Sequence, residues 1–429
     1  MFAQIITSTW TSILNQFFPV FTVPTARIFF ALASGWVLCT TRRTVTGMLR
    51  FADLFISRPH DAFHRFFASA KWSCDKLWCT LAVLLVKKFY PKGVIQLDLD
   101  DTLFHRRGRK VAGASRWRDP IRSEKILVLA RGLNLVVLTI RIYPPWGGEP
   151  ISLPVNMRLR VKDGPGHIDL AESMLSQIAS WLPERRFICH CDGAYTALID
   201  KNLPQTHIIT RLRKDGIIYE LPPKTKAKKR GRKRVRGNLL PKPLELARIV
   251  KFKEATTIER GKKRKRLLWT KQVIWYHVSK RPVAIIISRD PKGKEKDDFF
   301  VTTDLTLAPR RVVSLYAGRW SIEETFKNTK QLLGGQQPQS FVREGPARAA
   351  VMSFWLYSTV WLWYLENKRS WKVLPKLPWY HEKISPSFAD ALACLRRHLW
   401  KETINTMSGT RTAFESIPKS IITALAYAA

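Results

Sequence analysis

Through the first ninety residues apolar positions recur three and four apart, in Arg43–Ile56 and again in His60–Ser69, with aromatics and basic residues between them. That spacing predicts helices, because residues three and four apart share one helical face. Pro91-Lys92-Gly93 interrupts the pattern, and short apolar runs replace it. Val94–Asp100 ends in acids, and Asn134–Tyr143 (NLVVLTIRIY) and Ile151–Val161 (ISLPVNMRLRV) follow. These runs read as strands. After Gly164-Pro165-Gly166 the helical period returns from about Ile168 to Leu182, and then Arg186–Cys191 and Thr206–Leu212 read as strands again. Three strands, a helix and two more strands predict an α/β sheet of mixed pairing flanked by helices.

Beyond Gly216 the composition changes. Leu267–Val278, Val283–Ser288 and Phe299–Thr303 are β-rich and stand among dense basic runs. Residues 214–305 are therefore read as a β-rich basic insertion between two parts of a core, 91–213 and 306–345. From Ala308 the pattern is helical through Pro309–Leu333, Pro346–Leu365 and Ser387–Leu399, so that 346–429 forms a helical C-terminal region opposite the helical region 1–90. No internal repeat is present.

The charge narrows the partners. Lys and Arg number 73 against 33 Asp and Glu, a net charge of +40, with a pI near 10.4. Such a surplus calls for a polyanion, since each neutralised phosphate releases condensed counterions. Lys224–Arg236 holds nine basic residues in thirteen, including Lys228, Lys229, Arg230, Arg232, Lys233 and Arg234, and Arg260–Arg266 holds six in seven, including Lys263 and Arg264. Basic runs are commonly solvated loops. These flank strands, and fit a hairpin facing DNA better, with region 1–90 as a further DNA-binding part. Six cysteines in a chain of 429 residues make no disulfide framework, and imply a reducing compartment. Cys189-His190-Cys191 lacks a second ligand pair at zinc spacing, so buried strand thiols are expected there. Residues 1–26 carry no charge, without the basic start of a signal peptide, and the uncharged run Ala349–Leu365 is 17 residues, short of the roughly 20 of a membrane span. A soluble protein without a membrane partner is expected.

Three acids stand out by position. Asp100 ends the first strand (VIQLDLDDTLF), Asp192 ends another (RFICHCDGAYTALID), and Glu323 lies within the helix beginning near Pro309. Taken singly, each is more commonly a cap or a turn residue. Together, carboxylates at neighbouring strand ends can hold two metal ions about 4 Å apart for in-line phosphoryl transfer. Hard oxygen ligands select Mg²⁺, with Mn²⁺ as a substitute. In LYAGRWSIEETFKNTKQLLGG, residues Tyr316, Arg319, Glu323 and Lys330 share one narrow helical face at about 100° per residue. An amphipathic helix laced by ion pairs would also place charges so, but Glu323 and Lys330 are seven apart, too far to pair along the helix.

Here the sequence resembles a known family. Tyr-x2-Arg-x3-Glu-x6-Lys is the signature of one large group of bacterial insertion-sequence transposases with an RNase H-like DDE core. Asp100-Asp101-Thr102 after a hydrophobic strand, and Cys-Asp-Gly-Ala-Tyr around Asp192, agree with it. The resemblance covers roughly residues 90–365. It implies Asp100, Asp192 and Glu323 as catalytic metal ligands, and Tyr316, Arg319 and Lys330 as contacts to DNA ends. It also implies cleavage and strand transfer on the terminal repeats of a mobile element and a target, by a dimer on paired ends, in the bacterial cytoplasm on the nucleoid. The aromatic that steadies a flipped base in some members has only Phe299 or Phe300 as candidates. Two rivals remain open: a non-catalytic DNA-binding protein, against which the intact acids argue, and a phosphatase, because Asp98-x-Asp100-x-Thr102 also fits the nucleophile loop of haloacid-dehalogenase-type phosphatases, with Asp98 as the nucleophile. The phosphatase reading leaves the charge and the signature helix unexplained.

Overall fold

Thr9, Thr44 and Ser73 each accept a hydrogen bond from the backbone N–H three residues on, and so start helices α1 (Trp10–Asn15), α3 (Val45–Phe51) and α5 (Cys74–Phe89). Between them α2 (Val23–Leu38) carries Pro24 in its first turn, and α4 (His60–Ala68) follows Pro59. The structure is a computed structural model that describes residues 9–52, 58–119, 123, 126–223, 234–368, 371, 383–409 and 412–428.

Next along the chain come β1 (Ile95–His105), β2 (Ser115–Arg118), β3 (Leu129–Ile142), β4 (Ile151–Arg160), α6 (His167–Trp181), β5 (Phe187–Cys191) and β6 (Thr206–Arg211). They are followed by α7 (Pro243–Ile249), β7 (Lys253–Glu259), β8 (Lys262–Ile274), β9 (Pro282–Arg289) and β10 (Asp298–Thr302). All ten strands belong to one sheet, in the order β2-β3-β1-β5-β6-β10-β9-β8-β7, with β4 also on β3. β3 runs antiparallel to β1 and carries β2 and β4 along its other edge. β5 and β6 run parallel to β1. β10, β9, β8 and β7 then follow antiparallel, so the strands of residues 214–305 continue the same sheet. The fold is thus mixed α/β with a mostly antiparallel sheet.

The C-terminal part holds α8 (Pro309–Ala317), a 3-10 turn (Gly318–Trp320), α9 (Ser321–Gln331), α10 (Gly345–Glu366), α11 (Phe388–Ser408) and α12 (Lys419–Tyr427). The single helix expected over Pro309–Leu333 is therefore two, joined at Gly318, a residue that does little to hold a helix straight. α10 is buried along nearly its whole length. It ties the N-terminal helices to the sheet: Phe17 meets Trp355 edge-on with centroids 5.0 Å apart, and Arg348 donates to the carbonyls of Ala70 and Trp72. Trp36 adds a bond from its indole N–H to the carbonyl of Leu333, 2.7 Å away. Among the described residues no helix is long and apolar enough to cross a membrane. Cys189 and Cys191 are buried free thiols on β5.

Candidate active site

The middle of β1 carries Asp98, Asp100 and Asp101, and each meets a different environment. Asp98 is fully buried. The Nε and Nη2 of Arg141 and the hydroxyl of Ser152 donate to its carboxylate, and Nδ1 of His190 lies 3.4 Å away. Burial works against its charge, but the Arg141 guanidinium, helped by His190, holds the carboxyl down at about 2. A nucleophile must be reachable by its substrate, and Asp98 is sealed behind Arg141. The phosphatase alternative ends there.

Asp100 opens onto the other elements. The parallel register sets Leu99 against Cys191, so the next residues along the two strands, Asp100 and Asp192, stand abreast. Asp192 accepts a bond from the N–H of Ala194 at 2.9 Å, which caps the 3-10 helix Gly193–Asp200 and fixes the carboxylate at the strand end. Its carbonyl is held by the hydroxyl of Thr210 at 2.6 Å. Arg319 completes the group: Nη1 donates to Oδ2 of Asp100 at 2.6 Å, and Nη2 to Oε1 of Glu323 at 3.2 Å. Burial pushes the Asp100 carboxyl up to about 7, with Arg319 opposing and Asp192 adding to the rise. Burial also raises Glu323 against the pull of Arg319. Arg319 itself would lose basicity by burial, but Asp100, Tyr316 and Glu323 more than offset this.

The buried network around Asp98 places these helices. Arg141 also donates to the carbonyl of Leu315 at the end of α8. The hydroxyl oxygens of Ser152 and Ser321 are 2.5 Å apart, and the Thr325 hydroxyl donates to the Ser152 carbonyl at 2.6 Å. Polar side chains of β3 and β4 thus set the angle at which α9 presents Glu323 to β1.

The remaining expected contacts fall in several places. Tyr316 is buried, with its ring 4.9 Å from that of Phe300 and the Arg211 and Arg319 guanidinium groups over it. Phe299 faces the main core and Phe300 the smaller cluster beside α8, so neither exposes a ring face for a base. Lys330 lies over the Phe104 ring; burial lowers its amine to about 8, with Asp119 opposing. Lys263 is exposed, as is Arg234, whereas Arg264 pairs with Glu295 at 2.9 Å. Lys228, Lys229, Arg230, Arg232 and Lys233 lie outside the described residues. Trp320 drew no attention in the sequence, yet it stands 47% exposed beside Arg319 with the Arg260 guanidinium over its ring. An aromatic within a helical apolar pattern gives no sign of which way it faces.

Residues 16–282 match the family model described as DDE superfamily endonuclease. The chain belongs to that family. It is a DDE endonuclease. The match takes in Asp100 and Asp192 and ends before Glu323. No curated protein matches the chain. Among solved structures it is similar to a piggyBac transposase synaptic complex with hairpin DNA, at 10% identity over 98% of this chain and 81% of that one, with a TM-score of 0.41. DDE endonucleases use divalent metal ions. Among the described residues no three acidic, histidine or cysteine side chains close on a common point. Arg319 lies between two of the acids instead.

Proposed function

We propose that Asp100, Asp192 and Glu323 are the catalytic acids of this DDE endonuclease and hold two divalent ions, Mg²⁺ with Mn²⁺ as substitute. One observation carries the reading: a single guanidinium, Arg319, bonds two carboxylates 223 residues apart in the chain (323 − 100), with a third carboxylate abreast of the first. The donor set suits such ions, being hard oxygen with three negative charges against one arginine. When bound, the ions would activate the attacking oxygen and stabilise the leaving one. The chain's own residues do the rest. Asp100 and Asp192 are fixed by β1 and β5, while Glu323, with 39% of its side chain exposed, is free to turn past Arg319. Arg319 and Arg211 present forked donors to backbone phosphates, and Trp320 offers an indole face on which a base can stack. Lys330 on the same helix adds a point charge for a phosphate farther along.

The strand order β4-β3-β1-β5-β6, antiparallel on one side of β1 and parallel on the other, supports an RNase H-like core, and Tyr316, Arg319, Glu323 and Lys330 support the Tyr-x2-Arg-x3-Glu-x6-Lys group. On this reading the substrate is double-stranded DNA at the terminal repeats of a mobile element, the enzyme works as a dimer on paired ends, and the nucleoid of a bacterial cytoplasm is its place. Region 1–90, the basic strands of 214–305 and the run Lys224–Arg236 supply further backbone contacts. Supercoiled plasmid carrying the element's ends, incubated with Mg²⁺, tests the assignment. Asp192→Ala and Glu323→Ala should still bind DNA but cut it more than about 10³-fold more slowly. Retained nicking by either purified variant would overturn it.

A further inference from the structure

A cleft of about 540 Å³ opens along α8. Its walls are the β3–β4 turn, the tip of the β7–β8 hairpin and α8 itself. With Tyr316 at zero on the helical wheel, Arg310, Ser314 and Arg311 point to about 120°, 160° and 220°. That is the face opposite the one Tyr316 turns toward Arg319. The cleft is built rather than incidental. Gly261 at the hairpin tip (φ +73°) and Gly148 in the turn (φ +82°) touch backbone to backbone, so closely that a Cβ on residue 261 would come within 2.6 Å of Gly148. The N–H of Ile258 donates to the Ser314 hydroxyl at 2.9 Å and ties the hairpin to α8.

Charge shows what the cleft is for. Arg264, Lys265 and Arg266 on β8 are each neutralised by glutamates, Glu295, Glu254 and Glu259. Lys263, Arg310 and Arg311, which line the cleft, form no ion pair among the described residues and are exposed. Past Arg310 the same surface continues into a hollow lined by Lys251 and Lys253, exposed and likewise without an acidic partner. A row of uncompensated cations in a concave surface repels itself and focuses field on a polyanion. A DNA duplex offers one phosphate per roughly 1.7 Å of axis, which suits such a row.

We propose that this cleft binds the backbone of a second duplex, the target that receives the cut end, apart from the duplex held at the acids. The proposal rests on the acids being the cutting centre. The test uses the full chain, a pre-cut labelled element end and a titrated target plasmid. Arg310→Gln/Arg311→Gln should raise the target concentration for half-maximal joining at least tenfold. In metal-free binding to a random-sequence duplex it should lower the log–log salt slope by about two, at about 0.9 per lost contact. Lys292→Gln/Lys294→Gln, the same charge change outside the cleft, serves as the reference. An equal change in both double variants, or nicking of the element end lost in proportion to joining, would overturn the proposal. Wild-type protein that never nicks would speak against the cutting centre, and the metal-free slopes would still decide the cleft.

Discussion

Asp100 is the residue whose chemistry is most constrained by its surroundings. Its carboxyl, pushed by burial up to about 7, must lose a proton before it can act as a metal ligand. The raised value means the protonated form dominates below pH 7 and the ionised form above it. The cleavage rate should therefore climb about tenfold per pH unit below about 7 and level off above, and more metal should move the midpoint to lower pH. Rates measured from pH 5.5 to 8.5 at two Mn²⁺ concentrations check this; a flat profile would show that Asp100 is already ionised. Its neighbour Asp98 behaves otherwise, for in Asp98→Asn the fully buried Arg141 loses its counter-charge. Breaking a buried pair costs about 3–5 kcal/mol, so the variant should unfold at markedly lower denaturant, whatever it does to cleavage. Unchanged melts would mean that His190 and the Leu315 carbonyl suffice for Arg141. Asp101 takes a bond from the Asn134 amide at 2.9 Å on the side away from Arg319, and Asp101→Asn should cut nearly normally.

At the scale of elements, the break between α8 and α9 decides where Glu323 sits. A Cβ on Gly318 would come 2.6 Å from Nη1 of Arg141, a group that cannot yield because Asp98 and Leu315 hold it. Gly318→Ala should push α9 off the sheet and slow cleavage by at least about tenfold, since small misplacements of a catalytic group are expensive. A wild-type rate for that variant would show that the guanidinium moves aside. The break is also where sequence reasoning fell short. Apolar period marks a helix from Pro309 onward but does not register three residues of 3-10 turn, so the helical wheel holds only locally. It brought Arg319 to Glu323 correctly, while Lys330 went to Phe104 and Asp119. β1, β3, β5 and β6 were legible because buried parallel or central strands are continuous apolar runs. β7 (KEATTIE) was not, being an edge strand with polar residues on both faces. Phe299 and Phe300 were equally opaque, because both faces of β10 are covered and hydrophobicity cannot choose between them.

For the molecule as a whole, a net charge of +40 makes salt the strongest external lever on its DNA affinity. Neutralising Lys224–Arg236 removes up to nine phosphate contacts, each worth about 0.9 in the log–log salt slope if engaged. An unchanged slope after that substitution would mark the run as solvated and move the DNA footprint onto the sheet and α8. The way the sheet is assembled carries a different consequence. β6 is flanked by β5 on one side and β10 on the other, and β10 belongs to the basic segment between the second and third acids. Trimming residues 214–305 to make a smaller nuclease would strip that neighbour away and leave a bare, apolar strand border, the kind that recruits further copies edge to edge. Such a deletion should yield inclusion bodies rather than a weakened enzyme, and soluble, monomeric protein after it would show that β6 tolerates a free edge.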